Sequence, residues 1–129
     1  VVPGVVALQA APFVGYEDAG RELQELGEEL RARGELDGCP MILVCDDSGF
    51  VSASLSNFLW VAFTRSNPSH DIYGVNSAYE NKHWACDNVI LDIRLKPHHA
   101  PPLIPDPIVE KNIERFFVNG ASLSGIRHL

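Results

Sequence analysis

The chain has 129 residues, of which 46% are hydrophobic and 21% charged, so it can bury a core without disulfide or metal staples. A formal net charge of -7 and a pI near 5.1 disfavour nonspecific nucleic-acid binding, which needs basic patches to displace counterions. Three cysteines (Cys39, Cys45 and Cys86) match no zinc spacing and read as reduced thiols of a cytoplasmic protein.

Gly4–Ala10 is a short β-branched apolar run and reads as a buried strand, broken by Pro12 and Gly15. From Tyr16 to Arg33 the period changes. Ala19, Leu23, Leu26 and Leu30 form one helical stripe, with acids near the start, arginines near the end and Gly34 as the stop. "PMILVCDD", Pro40–Asp47, is a continuous apolar run of the kind buried on both faces in parallel sheets. Strand, helix, strand makes a βαβ unit with a right-handed crossover.

Ser52–Arg65 reads as a second helix, capped by Ser52 or Ser54. Leu55, Phe58, Leu59 and Ala62 form its expected buried stripe, and Trp60 and Phe63 its flanks. Asn67-Pro68 ends it. Asp71–Val75 is a candidate strand, 76–87 a polar and aromatic loop, and Asn88–Lys96 a strand. Residues 97–107 hold five prolines and are expected to be extended. A short helix over Ile108–Phe117 and a Gly/Ser tail over 118–129 follow. The expectation is a single α/β domain: a small three-layer or two-layer sandwich with βαβ units, a mostly parallel sheet and an extended Pro-rich segment near the C-terminus. The apolar runs are too short to span a bilayer, and no signal peptide is visible. The abrupt start at Val1 reads as a piece of something longer.

Several groups could carry chemistry. Asp46-Asp47 ends a predicted parallel strand, where open α/β sheets bind ligands. The pair can serve a ligand or, the favoured reading, cap a strand-to-helix turn. Arg65 can hold a phosphate or carboxylate, or, the favoured reading, pair with Asp46, Asp47 or Asp71 inside its own domain. The expected partner is Asp47 or Asp71. His98-His99 on extended chain would point to opposite faces, which disfavours a shared metal. Cys86 with His83 is a weak nucleophile pair, since nothing around Cys86 provides an oxyanion hole.

Taken together, "MILVCDD", "NFLWVAFTRSNPSHDIYGV", "KHWAC" and "ILDIRLKPHHAPPLIPDP" resemble the C-terminal domain of the UbiD family of reversible decarboxylases. The acidic pair would be Asp46-Asp47, and the W-x-x-x-T-R-x-x-P-x-x-D box Trp60, Thr64, Arg65, Pro68 and Asp71. The resemblance implies decarboxylation of aromatic, heteroaromatic or α,β-unsaturated acids with prenylated FMN, a divalent metal and potassium. No segment here matches that family's metal site, phosphate site or catalytic triad, so no catalytic or metal residue is assigned. The resemblance instead implies subunit contacts and a lid loop at Ile72, Tyr73, Gly74 and Val75, running on through Tyr79 toward Trp84. The partner would be a catalytic UbiD-like chain or a missing N-terminal portion of the same polypeptide, in a homo-oligomer with no nucleic acid and no membrane. The alternative is a free-standing, non-catalytic oligomerisation protein derived from that domain.

Overall fold

The computed structural model describes residues 2–35, 37–101, 104 and 106–124. The chain falls into two compact units, Val1–His99 and Ala100–Leu129, where the sequence reads as one domain. The first contains β1 (Val5–Gln9), α1 (Tyr16–Arg33), β2 (Met41–Cys45), α2 (Ser48–Ala53), α3 (Leu55–Arg65), β3 (Ile72–Val75), β4 (Ala78–Glu80), β5 (His83–Ala85) and β6 (Asn88–Asp92). The second contains α4 (Pro107–Glu114).

Four strands form a mostly parallel sheet in the order β1-β2-β6-β3. β1, β2 and β6 run parallel, with Val6 beside Ile42 and Ile42 beside Ile90. β3 is antiparallel to β6, with Ile72 beside Leu91. Alternation along the strands divides the core in two. Leu43, Cys45 and Ile93 pack with Val51, Val61 and Ala62 of α2 and α3. Ile42, Val44, Ile90 and Val75 pack with Leu23 of α1. The continuous apolar run of β2 therefore serves both clusters.

α1 has the expected bounds. Ala19 and Leu23 are buried, and Leu26 and Leu30 pack at the edge of the core. Gly34 ends the helix in the left-handed region (φ 70°), and its N–H donates to the carbonyls of Leu30 and Arg31.

The expected second helix is two. Asp47 caps α2 by accepting from Phe50 N (2.8 Å), and Ser54 caps α3 by accepting from Asn57 N (3.0 Å). Ser54 is extended (φ -154°, ψ 159°), so the helix breaks there. Phe58 and Ala62 of the expected stripe do meet the sheet, joined by Val61, whereas Leu55 and Leu59 are 51% and 41% exposed.

Residues 76–87, expected to be loop, contain the β4–β5 hairpin, with Tyr79 opposite Trp84. Asn81 and Lys82 both adopt positive φ (48° and 67°), the requirement of a two-residue turn matched to strand twist. β6 ends at Asp92 and not Lys96. Beyond it, Asp92 accepts from Arg94 N, and Lys96 Nζ donates to the carbonyls of Asp92 and Arg94. Side chains have taken over from the ladder.

The Pro-rich segment starts with a turn, not extension: His99 N donates to Lys96 O (2.9 Å). The His98 and His99 rings meet edge-on, 4.5 Å apart, instead of pointing to opposite faces. Pro102, Leu103 and Pro105 of that segment, and residues 125–129 of the tail, lie outside the described residues. α4 begins at Pro107, with Asp106 accepting from Ile108 N (2.8 Å); proline at the first helical position loses no hydrogen bond. Among the described residues, no helix is long and apolar enough to cross a membrane.

Gly74 sets how closely the hairpin approaches β3. A Cβ there would lie 2.4 Å from Trp84 Cζ2 and 2.8 Å from the Cβ atoms of Cys86 and Ser77. Gly74→Ala should therefore cost about 1–3 kcal/mol, as overpacking does. Urea unfolding should show the loss, with a changed Trp84 emission in the folded state.

Candidate functional site

The carboxyl ends of β2 and β6 and the start of β3 meet at one end of the sheet, where the chain places Asp46, Asp47, Asp71 and Asp92. The polar groups there are mostly committed to one another. Asp46 Oδ2 accepts from Arg65 Nη1 (3.0 Å) and from Leu95 N (2.7 Å). The expected Arg65 partner, Asp47 or Asp71, is therefore corrected to Asp46. Asp47 is engaged in capping α2, and Asp71 faces Lys96. The Arg65 guanidinium also lies 5.7 Å from the Trp60 ring centroid, a cation–π contact. Thr64 Oγ1 donates back to Trp60 O (2.6 Å).

The turn after α3 is self-bonded. Asn67 Oδ1 accepts from Ser69 N and Oγ, Asn67 O accepts from His70 N and Asp71 N, and Asp71 Oδ2 accepts from Asn67 N. Pro68 sits inside this turn. The box from Trp60 to Asp71 is thus a stop, a turn and an anchor.

Beneath it lies a buried charge cluster. Asp71, Asp92, Arg94 and Lys96 are each at most 2% exposed. Arg94 binds both Asp92 oxygens through Nε (3.1 Å) and Nη2 (2.8 Å), and its Nη1 reaches Glu22 Oε2 (2.7 Å) and Ala11 O. Burial opposes the Arg94 charge, but the hydrogen bonds to Asp92 and Glu22 outweigh it and raise its pKa. Lys96 Nζ donates to the carbonyls of Arg65 (3.1 Å), Asp92 (2.9 Å) and Arg94 (3.3 Å), which uses its three protons. It lies 3.3 Å from Asp71 Oδ1. That oxygen is buried and receives charge but no hydrogen bond.

Only part of this cluster is legible beforehand. Asp92, Arg94 and Lys96 recur at every second position of an otherwise apolar segment, a charged stripe on one face of extended chain. Glu22 carries no comparable mark among the glutamates of α1.

Beside the cluster, α1 and β3 bound a groove of about 1060 Å³ whose far wall is the β4–β5 hairpin. Tyr16, Gly20, Tyr73, Val75, Tyr79 and Trp84 line it. Ile72, Tyr73, Gly74 and Val75, expected as a lid loop, are β3, hydrogen-bonded into the sheet. The part outside the sheet's hydrogen-bonded ladder is the β4–β5 hairpin beyond them, which approaches β3 at Gly74. The Tyr16 hydroxyl is raised in pKa by burial and then by Asp71 and Asp92, and Tyr73 by burial, Asp92 and Asp71. Both remain neutral hydrogen-bonding phenols at neutral pH.

No family model and no curated protein matches this chain. What the site can do chemically follows from its own groups. Burial pushes the Cys45 thiol up to about 11, and burial with Asp87 raises Cys86, so neither is a thiolate nucleophile at neutral pH. Among the described residues, no three His, Cys, Asp or Glu side chains converge as metal ligands. With the buried charges committed to one another, what this end of the chain leaves accessible is a groove with aromatic and polar walls.

Two measurements probe this site. Lys96→Met takes the ammonium away from the buried Asp71 carboxylate and should cost about 3–5 kcal/mol in urea unfolding. Arg65→Met should cost less than about 1 kcal/mol, because its pair with Asp46 is partly solvated and Asp46 keeps the Leu95 N–H. Equal losses would refute this ranking. His99 provides the second test. Burial, then His98 and Lys96, lowers its pKa, and its Nδ1 accepts from Lys96 N (3.1 Å). Above its ordinary value near 6.5 the ring is neutral in both states. Below that value the unfolded chain takes the proton first, so stability falls with pH. The melting temperature of the wild type should drop more between pH 7 and 5 than that of His99→Gln.

Proposed function

We propose that this chain is the C-terminal part or small subunit of a UbiD-like decarboxylase acting on aromatic or α,β-unsaturated carboxylic acids. Its role is subunit assembly and closure of the substrate pocket, in the cytoplasm. One observation carries the reading: the box from Trp60 to Asp71 is tied to the acidic pair through Arg65 and Asp46, and it leads directly into β3 and the groove-bordering hairpin. A fixed anchor followed by a projecting aromatic hairpin is what a covering element needs. The small layered sandwich, with the sheet between α1 and the α2–α3 pair, belongs to the same reading and is supported by the two core clusters.

Prenylated FMN, a divalent metal and potassium would belong to the assembled enzyme. The described residues of this chain do not fit as their holders. No carboxylate–histidine set converges, and Arg94 and Lys96 are spent on internal carboxylates and carbonyls. The cofactor would be bound mainly by a catalytic chain or by preceding residues of a longer polypeptide.

Carbon dioxide release from aryl acids tests the proposal. This chain alone, supplied with prenylated FMN, should release none. The assembled enzyme should turn over and should lose kcat/KM when Tyr79 and Trp84 are both replaced by Ala. Turnover by the isolated chain, or indifference of the assembly to the hairpin, would sink it. The alternative of a non-catalytic accessory protein is favoured by a different feature, the exposed apolar face of α3.

A further inference from the structure

All four residues of β3 line the groove, although their side chains point to opposite faces of the sheet. Tyr73 and Val75 pack on the α1 side, with Leu23 and Ile90. Ile72 stands beside Leu91, which packs on the α2–α3 side, so alternation sends Ile72 and Gly74 that way. A groove that touches both faces of one strand runs along that strand's edge. β3 ends the sheet, and among the described residues no further strand pairs with it. Asp92 N donates to Asp71 O (2.9 Å) and Asp87 N to Val75 O (3.0 Å), so these backbone groups turn toward β6. The N–H and C=O groups of Ile72 and Gly74 are out of phase with them and point outward, into the groove.

We propose that this edge is a docking site for an extended basic peptide of another protein, which adds to β3 as a fifth strand of the sheet. Three observations select that occupant. Backbone donors and acceptors at every second position are matched by another strand. The two walls of the groove also differ in kind. On one, α1 presents Glu17 and Glu28, while the Arg21 guanidinium is held by Asp18. On the other, Tyr79 and Trp84 are cross-strand partners on one face of the hairpin. Side chains of an added strand alternate between these walls. Lysine or arginine suits the carboxylates and the Tyr16 and Tyr73 rings beside them, and an apolar residue suits the hairpin. Finally, the net charge of -7 attracts a basic peptide. It opposes a second copy, whose edge would bring the same carboxylates face to face. The inference goes beyond the proposed function: it needs neither a cofactor nor a catalytic chain, and peptide binding and carbon dioxide release can fail separately.

The probe is a fluorescently labelled, end-blocked octapeptide of alternating lysine and valine, titrated by anisotropy with the whole 129-residue chain. Binding should saturate and weaken with salt, and the glutamate–valine counterpart should not bind. Methylating the backbone nitrogen of every second residue removes the N–H groups from one edge of the peptide. Methylation of the set that faces β3 should abolish binding, and methylation of the other set should leave it nearly unchanged. On binding, amide hydrogen exchange at Ile72 and Gly74 should slow about tenfold or more. Ile72→Pro is compatible with an edge strand, because that N–H points away from β6. It should keep the circular dichroism and weaken binding about tenfold, by the loss of one strand hydrogen bond. If that variant does not fold, the contrast between the two methylated peptides decides alone. Absence of saturable binding, equal sensitivity to both methylation sets, or unchanged exchange at Ile72 and Gly74 would overturn the proposal.

Discussion

A lysine ammonium with no exposed side-chain surface must find every partner inside the protein, and Lys96 finds them on three segments. It donates to the end of α3 at Arg65, to the end of β6 at Asp92 and to the segment beyond at Arg94, while facing Asp71 at the entrance to β3. Removing such a charge from water is costly unless its partners are complete. The geometry of the sheet end therefore follows from satisfying it. β6 stops at Asp92, the turn after α3 closes on Asp71, and β3 starts from a fixed point.

That arrangement bears on what the site can do. Arg94 and Lys96 would be the natural anion-binding groups at this end of the sheet, yet both are occupied by carboxylates and carbonyls. Asp46 and Asp47, the natural ligand carboxylates, hold Arg65, Leu95 N and the first turn of α2. The charges are structural, and what they support is a groove with aromatic walls. The ionic groups fix the end of the sheet from which β3 starts, and that division between committed charges and aromatic walls supports the proposed covering and assembling part.

Much of the fold is legible in the residues because local physics decides it. The stripe from Ala19 to Leu30 makes α1 at its observed bounds, and "MILVC" makes a two-sided central strand. Ser54 is legible as a cap, but not that a second cap at Asp47 divides the helix in two. Once it is divided, the α3 face that meets the sheet is set by the packing of Val61 and Ala62 under Ile93, so Leu55 and Leu59 end up outside. The hairpin escaped because its strands are three residues each and wholly exposed, too short to show an alternating pattern. Its approach to the sheet is set by Gly74, ten positions before Trp84.

The sequence by itself determined the types of the main elements outside the hairpin, the parallel central strands and the acidic, turn-bounded segment from Asp46 to Asp71. These depend on periodicity, capping and proline, which act over a few residues. Only the tertiary structure decided that Arg65 pairs with Asp46, that Glu22 joins Arg94 and that Lys96 holds three segments together. The Arg65–Asp46, Arg94–Glu22 and Lys96–Arg65 pairings span 19, 72 and 31 positions, and the packing of distant segments decides which partner is within reach.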